Sequence, residues 1–121
     1  MEKYVEVKRM SAFDVSSSII METPVKKGVL RNNWFVQIGS PSNETTDDGD
    51  KSGQQAIARI NAELMGTTIV QDIYLTNNLP YAHRIEYDGH SGQAPEGMVR
   101  VNLLRWDSIV ARNARRVANG V

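Results

Sequence analysis

Thr76–Val99, TNNLPYAHRIEYDGHSGQAPEGMV, is the stretch around which the rest of the chain is organised. It opens as a strand end and turns at Asn77-Asn78-Leu79-Pro80, where the proline ring presets the backbone for the next element. A short helix is expected from Tyr81 to Tyr87, then a glycine-containing loop at Asp88-Gly89-His90-Ser91-Gly92 and a return to helix at Ala94-Pro95-Glu96-Gly97. Glycines allow the left-handed turns such a loop needs. Tyr81 and Tyr87 read as its aromatic anchors, with His83 and His90 beside them. An anchored surface loop of this kind is where function concentrates.

Upstream, TTIVQDIYLT (Thr67–Thr76) reads as a strand with Ile69, Ile73 and Leu75 on one face and Val70 and Tyr74 on the other, so it is central or covered. Ser52-Gly53-Gln54-Gln55 has the form of a capping box, with Ser52 as the N-cap. Ile57, Ile60 and Leu64 then line one helix face, and Gly66 stands where a left-handed C-terminal cap belongs. Between residues 40 and 52 the chain is polar. Glu44, Asp47, Asp48 and Asp50 stand against Lys51, a local balance of −3, and the expectation is a flexible, solvated acidic loop. Asp47-Asp48-Gly49-Asp50 lacks the ligand order and the closing Glu of a calcium loop.

Asn33–Gly39 is rich in aromatic and β-branched residues and ends at Gly39-Ser40-Pro41, which predicts a strand with Trp34, Val36 and Ile38 on one face. Thr23–Arg31 is expected to be a turn. Before it, Ser11 and Asp14 suggest a helix start, Ala12, Val15 and Ile19 follow at helical spacing, and Pro24 sets a stop near Glu22. Residues Met1–Met10 alternate weakly and read as a strand or an arm that orders against a neighbour. Downstream, one amphipathic helix is expected from Pro95 to Asn119, with a seam of Val99, Leu103, Trp106, Val110 and Val117. Arg112, Arg115 and Arg116 sit in its last turns, where cations complement the helix dipole, and Gly120 ends it. The elements sum to a single α+β domain over residues 1–121, a small antiparallel or mixed sheet packed against N-terminal, middle and C-terminal helices.

The whole chain has 14 Lys+Arg and 14 Asp+Glu, so its net charge is zero and no global field steers it to nucleic acid or an anionic membrane. With no cysteine it has no disulfide framework, thiolate metal site or cysteine nucleophile. Residues 1–10 lack the apolar core of a signal peptide, and no apolar run reaches the ~20 residues a bilayer requires. The expectation is a soluble protein made inside the cell.

Chemistry-bearing patterns are few. His83, Glu86, Asp88 and His90 form H-x-x-E-x-D-x-H, but no pair of histidines lies four apart around a glutamate, so these residues read as loop or interface contacts. Gly89, Gly92 and Gly97 match neither the phosphate-loop nor the dinucleotide spacing. No G-x-S-x-G elbow is present. No catalytic group, cofactor or metal is assigned, and a metal-dependent hydrolase using His83 and His90 ranks last among the readings. From Val99 onward, five arginines stand against Asp107, a balance of +4. That basic helix could meet the acidic loop of a neighbouring subunit, or a nucleic acid in a small regulator; the first is preferred.

Three separated segments carry a family resemblance. Thr23-Pro24-Val25 with Gly28, Leu30-Arg31 and Trp34 resembles the TPV-x-TG-x-LR-x-x-W opening of the tail-completion, or head–tail joining, proteins of long-tailed bacteriophages. Asn77-Asn78-Leu79-Pro80-Tyr81, followed by Glu86 and Gly89, is similar to that family's NN-x-PY core. Ser91 through Val99, with Gln93, Pro95 and Gly97, resembles its S-x-QAP-x-GMV signature. Lys27 departs from the family's usual threonine, and the N-terminal helix looks shorter than usual.

The resemblance implies a structural virion protein and no enzyme. It implies a homo-oligomeric ring, commonly a hexamer, in the phage neck between the portal or adaptor stack and the tail terminator or tail tube. Genomic DNA would pass through the lumen without sequence readout, and no membrane would be involved. Assembly would take place in the host cytoplasm. The interface candidates are Asp47, Asp48, Asp50, Tyr81, His83, Glu86, Asp88, His90, Gln93, Arg112, Arg115 and Arg116. Pro24, Gly28, Trp34, Asn78, Pro80, Gly89, Pro95 and Gly97 are the signature positions.

Overall fold

A computed structural model describes residues 2–87 and 97–120. Among them are six helices and a two-stranded antiparallel sheet, in the order α1 (Glu2–Glu22), α2 (Val29–Asn32), β1 (Trp34–Ile38), α3 (Gln54–Leu64), β2 (Ile73–Asn77), α4 (Ala82–Tyr87), α5 (Val99–Leu103) and α6 (Trp106–Ala118). The fold is α+β.

Residues 1–10 correct the first expectation. Glu2 to Met10 are the N-terminal half of α1, a 21-residue helix about 31 Å long. No Gly or Pro interrupts the chain before Pro24, and Glu, Lys, Arg and Met propagate helix readily, so the weak alternation of Val5 and Val7 loses to continuity. Ser11 is therefore no N-cap. It is buried mid-helix, and Asn113 Nδ2 of α6 donates to its hydroxyl at 3.2 Å. Small buried residues on α1, Ser11, Ala12 and Ser16, leave room for neighbouring helices, of which α6 is one. Helix α1 stops at Thr23, whose hydroxyl donates to the Ile19 carbonyl at 2.7 Å and whose N–H donates to Ile20 at 3.2 Å.

The 23–31 segment, expected to be a turn, includes the one-turn helix α2. Gly28 precedes it with φ +81°, and a Cβ there would lie 2.6 Å from the backbone of Asp50. Glycine is required because the 48–51 backbone crosses at that point, with Asp50 N–H donating to the Gly28 carbonyl at 2.9 Å.

Strand β1 forms where expected, in register Trp34↔Asn77 through Ile38↔Ile73 with β2. Trp34 and Val36 enter the core with Ile19, Ile20, Ile60 and Leu64. The ring of Phe35, on the other face, is covered by the Arg59 guanidinium 4.2 Å from its centroid. Strand β2 is shorter than the expected Thr67–Thr76. Residues 69–71 bend, leaving Ile69 and Val70 exposed, and Lys8 Nζ holds the bend by donating to the Thr68 carbonyl at 2.8 Å and to the Gln71 carbonyl.

Helix α3 buries Ile60 and Leu64 as expected, together with Ala56, while Ile57 is partly buried against the core. Its start differs from the expected capping box. The N-cap is Gly53, left-handed at φ +77°, and Asp50 Oδ2 accepts the Ala56 N–H at 3.0 Å while Ser52 Oγ accepts that of Gln54 at 3.2 Å. Gly66 is not left-handed; α3 ends in a tight turn, with Gly66 N–H donating to Glu63 at 3.1 Å.

The long C-terminal helix divides in two at Leu104–Arg105, and its expected start at Pro95 lies outside the described residues. The buried seam differs from the expected one because two of its positions are asparagines. Asn102, Ile109, Asn113 and Val117 face inward, while Leu103 and Trp106 are exposed. Gly120 closes α6 at φ +73°. Helix α6 packs along α1, and α3 along both α1 and β1.

Candidate functional site

Helix α4 follows Pro80 and places Ala82, Ile85 and Glu86 on its buried side. Glu86 is 6 % exposed. Its carboxylate accepts three successive backbone N–H groups at the start of α5: Met98 at 2.6 Å, Val99 at 2.7 Å and Arg100 at 2.8 Å. Those are donors a helix start leaves without intrahelical partners. Arg100 also returns, Nε to Glu86 Oε2 at 3.3 Å and Nη2 to the Glu86 carbonyl. Burial by itself would raise the Glu86 pKa, but the N–H groups of Val99, Arg100 and Met98 and the charge of Arg100 outweigh it and hold the carboxyl below its ordinary value. Gly97 completes the clasp at φ +90°, where a Cβ would come within 2.6 Å of the Glu86 carbonyl oxygen. Residues 86 and 97 are thus fastened together at the base of the intervening segment.

This corrects one expectation. Glu86 faces inward and is spent on α5, so it is no surface contact. Tyr81 and Tyr87 are exposed, and the loop they were expected to anchor lies outside the described residues. Tyr87 is sandwiched instead, its ring 4.6 Å from that of His83 and beneath the Arg100 guanidinium at 5.3 Å. His83 is exposed while Glu86 is buried, so the pair does not present a common ligand face. No group of three or more His, Cys, Asp or Glu that could hold a metal occurs among the described residues. Asp88, Gly89, His90, Gln93 and Pro95 lie outside them.

The acidic segment is the second surface, and it is tied down rather than free. Asn33 pairs with Thr46 in both directions, accepting its N–H at 3.0 Å and donating to its carbonyl at 2.9 Å. Asn32 donates to Asp48 at 3.2 Å, and Asn78 to the Ser42 and Glu44 carbonyls at 2.9 and 3.1 Å. Arg31 bridges Lys51, Met21 and Thr23 carbonyls at 2.7, 3.1 and 2.9 Å. Burial lowers the Arg31 pKa and the Asp50 charge opposes it. Asp50 is half-buried and committed to capping α3, a further correction, whereas Glu44, Asp47 and Asp48 remain exposed.

Several residues of the signature segments are internal fasteners. Trp34 Nε1 donates to Thr23 Oγ1 at 2.8 Å, Arg31 clamps the end of α1, and Asn77 Nδ2 reaches the Leu30 carbonyl at 3.0 Å. Pro24 follows the end of α1, and Pro80 sits exposed at the entry to α4.

On α6, Arg115 and Arg116 are exposed, and Arg112 pairs with Asp14 at 3.0 Å. The residues missed by reading the sequence are the buried asparagines 32, 33, 102 and 113 and the apolar wall of α1 from Tyr4 to Val15. The uninterrupted Glu2–Glu22 run, with Glu6 and Arg9 one turn apart, is the signal that marks α1.

No family model, curated protein or solved structure matches the chain. Among the described residues no helix is long and apolar enough to cross a membrane.

Proposed function

We propose that this chain is a structural subunit of the neck of a long-tailed phage, one of several copies in a ring that completes the tail and joins it to the head connector around the DNA path. The observation that carries the reading is the ordered set of three signature segments, at 23–34, 77–89 and 91–99. Supporting it, Thr23, Arg31, Trp34, Asn78, Glu86 and Gly97, where described, are the residues that fasten one segment to the next. A subunit that works by shape needs such internal rigidity, because ordering a loop at an interface subtracts from affinity. In this reading no bond is made or broken, and the protein works in the virion after assembly in the host cytoplasm.

The test is electron microscopy of the purified chain, alone and mixed with tail tubes. Rings, or caps at one tube end, are the expected result. A compact monomer whose binding to short duplexes falls steeply with salt would instead establish the regulator reading. Substrate turnover lost on replacing His83 or His90 would overturn both.

A further inference from the structure

Two open clefts of about 740 and 510 Å³ meet at Lys8 and Trp106 and form one trench. Its floor is α1 through Val7, Ala12, Val15 and Ile19; one wall is α5 and α6 through Val99, Leu103, Trp106 and Val110; the other is the 69–75 segment. Tyr4 is 70 % exposed at one end and Leu103 56 % at the other. The second wall carries an unpaired strand edge. Gly39 N–H donates to Asp72 O at 2.8 Å, and in this register hydrogen-bonded pairs alternate, so the N–H and C=O groups of Ile73 and Leu75 point away from β1. The sheet has two strands, so no strand lies beyond them among the described residues. An apolar trench beside an open strand edge is a surface that invites a protein partner.

Charge identifies that partner. Arg115 and Arg116, on the helix that walls the trench, and Arg105 just before its start are exposed and form no salt bridge among the described residues. Glu44, Asp47 and Asp48 are exposed and equally without one. These acids sit on a segment already ordered against α2 and β1, so presenting them costs little further entropy. Exposed apolar groups accompany them. Met21 packs at Gly53, and Tyr81 shares a hollow with Gly28, the point the acidic segment crosses. One face is apolar and basic, another apolar and acidic, and the whole chain is neutral. A polyanion would satisfy the arginines and leave the trench empty.

We propose that the trench between α1, α6 and β2 seats a second copy of this chain, head to tail, with that copy's Glu44–Asp48 segment against the α6 arginines. The contact is heterologous, which closes into a ring when the rotation between copies allows. It rests on the ring-subunit reading for closure only.

The experiment measures association of the full chain by light scattering and sedimentation over a wide concentration range, at low and high salt. Ala114→Glu and Tyr4→Glu, both at exposed trench positions, should keep the helical circular dichroism and weaken association at least tenfold. Arg115→Glu with Arg116→Glu should do the same, as should Asp47→Lys with Asp48→Lys. Combining the two charge reversals should restore most of the loss. A wild-type chain that assembles while all trench variants assemble equally well overturns this surface and leaves the ring reading standing. A wild-type chain that stays monomeric at every concentration, and also fails to cap tail tubes, overturns both.

Discussion

Glu86 Oε1 accepts the backbone N–H of Met98 at 2.6 Å, joining the last turn of α4 to the first residue before α5. The neighbouring bonds to Val99 and Arg100 make this carboxylate the start of α5. Glu86 and residues 97–100 are thereby fastened to each other.

Replacing Glu86 with Gln keeps the shape but removes the charge and one acceptor. Buried N–H groups left without a full partner cost about 1–3 kcal/mol, and for a chain of this size that lowers the thermal midpoint by roughly 5–10 °C. Thermal unfolding followed by circular dichroism checks it. A midpoint within a degree of wild type would mean the clasp contributes nothing.

The same clasp predicts a pH dependence. The folded Glu86 pKa lies below its ordinary value, so on acidification the unfolded chain takes up the proton first. Its stabilisation is complete above the unfolded carboxyl pKa of about 4.3 and disappears as pH falls through the lower folded value. Urea unfolding at neutral pH and at successive acid values should show the gap between wild type and Glu86→Gln shrinking only in the acid range. A gap constant across that range would show that the charge is irrelevant.

Gly28→Ala should destabilise strongly. The new Cβ would meet Asp50 backbone at 2.6 Å in a left-handed conformation, and strain of that kind costs on the order of 1–3 kcal/mol before the clash is counted. Gly120→Ala is the control, left-handed too at φ +73° but with nothing within 4 Å of its Cβ. Parallel urea titrations should show the larger loss for Gly28, with Gly120 limited to the left-handed cost of roughly 1–2 kcal/mol.

Two neighbours on α6 should behave oppositely. Asn113 is fully buried and donates to Ser11 Oγ and to Asp14 Oδ2 at 2.9 Å. Asn113→Asp would put a second carboxylate against Asp14 and should cost several kcal/mol at neutral pH, of the order seen for an uncompensated buried charge. Arg112→Ala removes an ion pair whose arginine side chain is about half exposed, and should cost less than ~1 kcal/mol. Equal losses for the two would refute this account of the α1–α6 interface.

Much of the local structure was legible along the chain. The Ile57–Ile60–Leu64 spacing placed α3, the aromatic and β-branched run at 34–38 placed β1, and Pro80 marked the entry to α4. What misled was polarity read as freedom. The acidic segment carries no apolar residue, yet its carbonyls are taken by Asn32, Asn33, Asn78 and Arg31, residues that no periodicity marks as buried. The expected seam of the last helix failed for a similar reason, since the buried face runs through Asn102 and Asn113, which an apolar seam passes over.

By itself the sequence determined the types of β1, α3 and α4, the absence of any cysteine chemistry, the neutral overall charge and the three signature segments. These depend on nearest neighbours or on composition alone. Only the tertiary structure decided that Glu86 and Asp50 are internal caps, that Asn113 meets Ser11 across 102 positions, and that α1, α6 and β2 enclose an open trench. A carboxylate or an amide side chain is equally suited to water and to a buried donor. Which one it meets is set by long-range packing, where the chain brings distant backbone groups within hydrogen-bond reach.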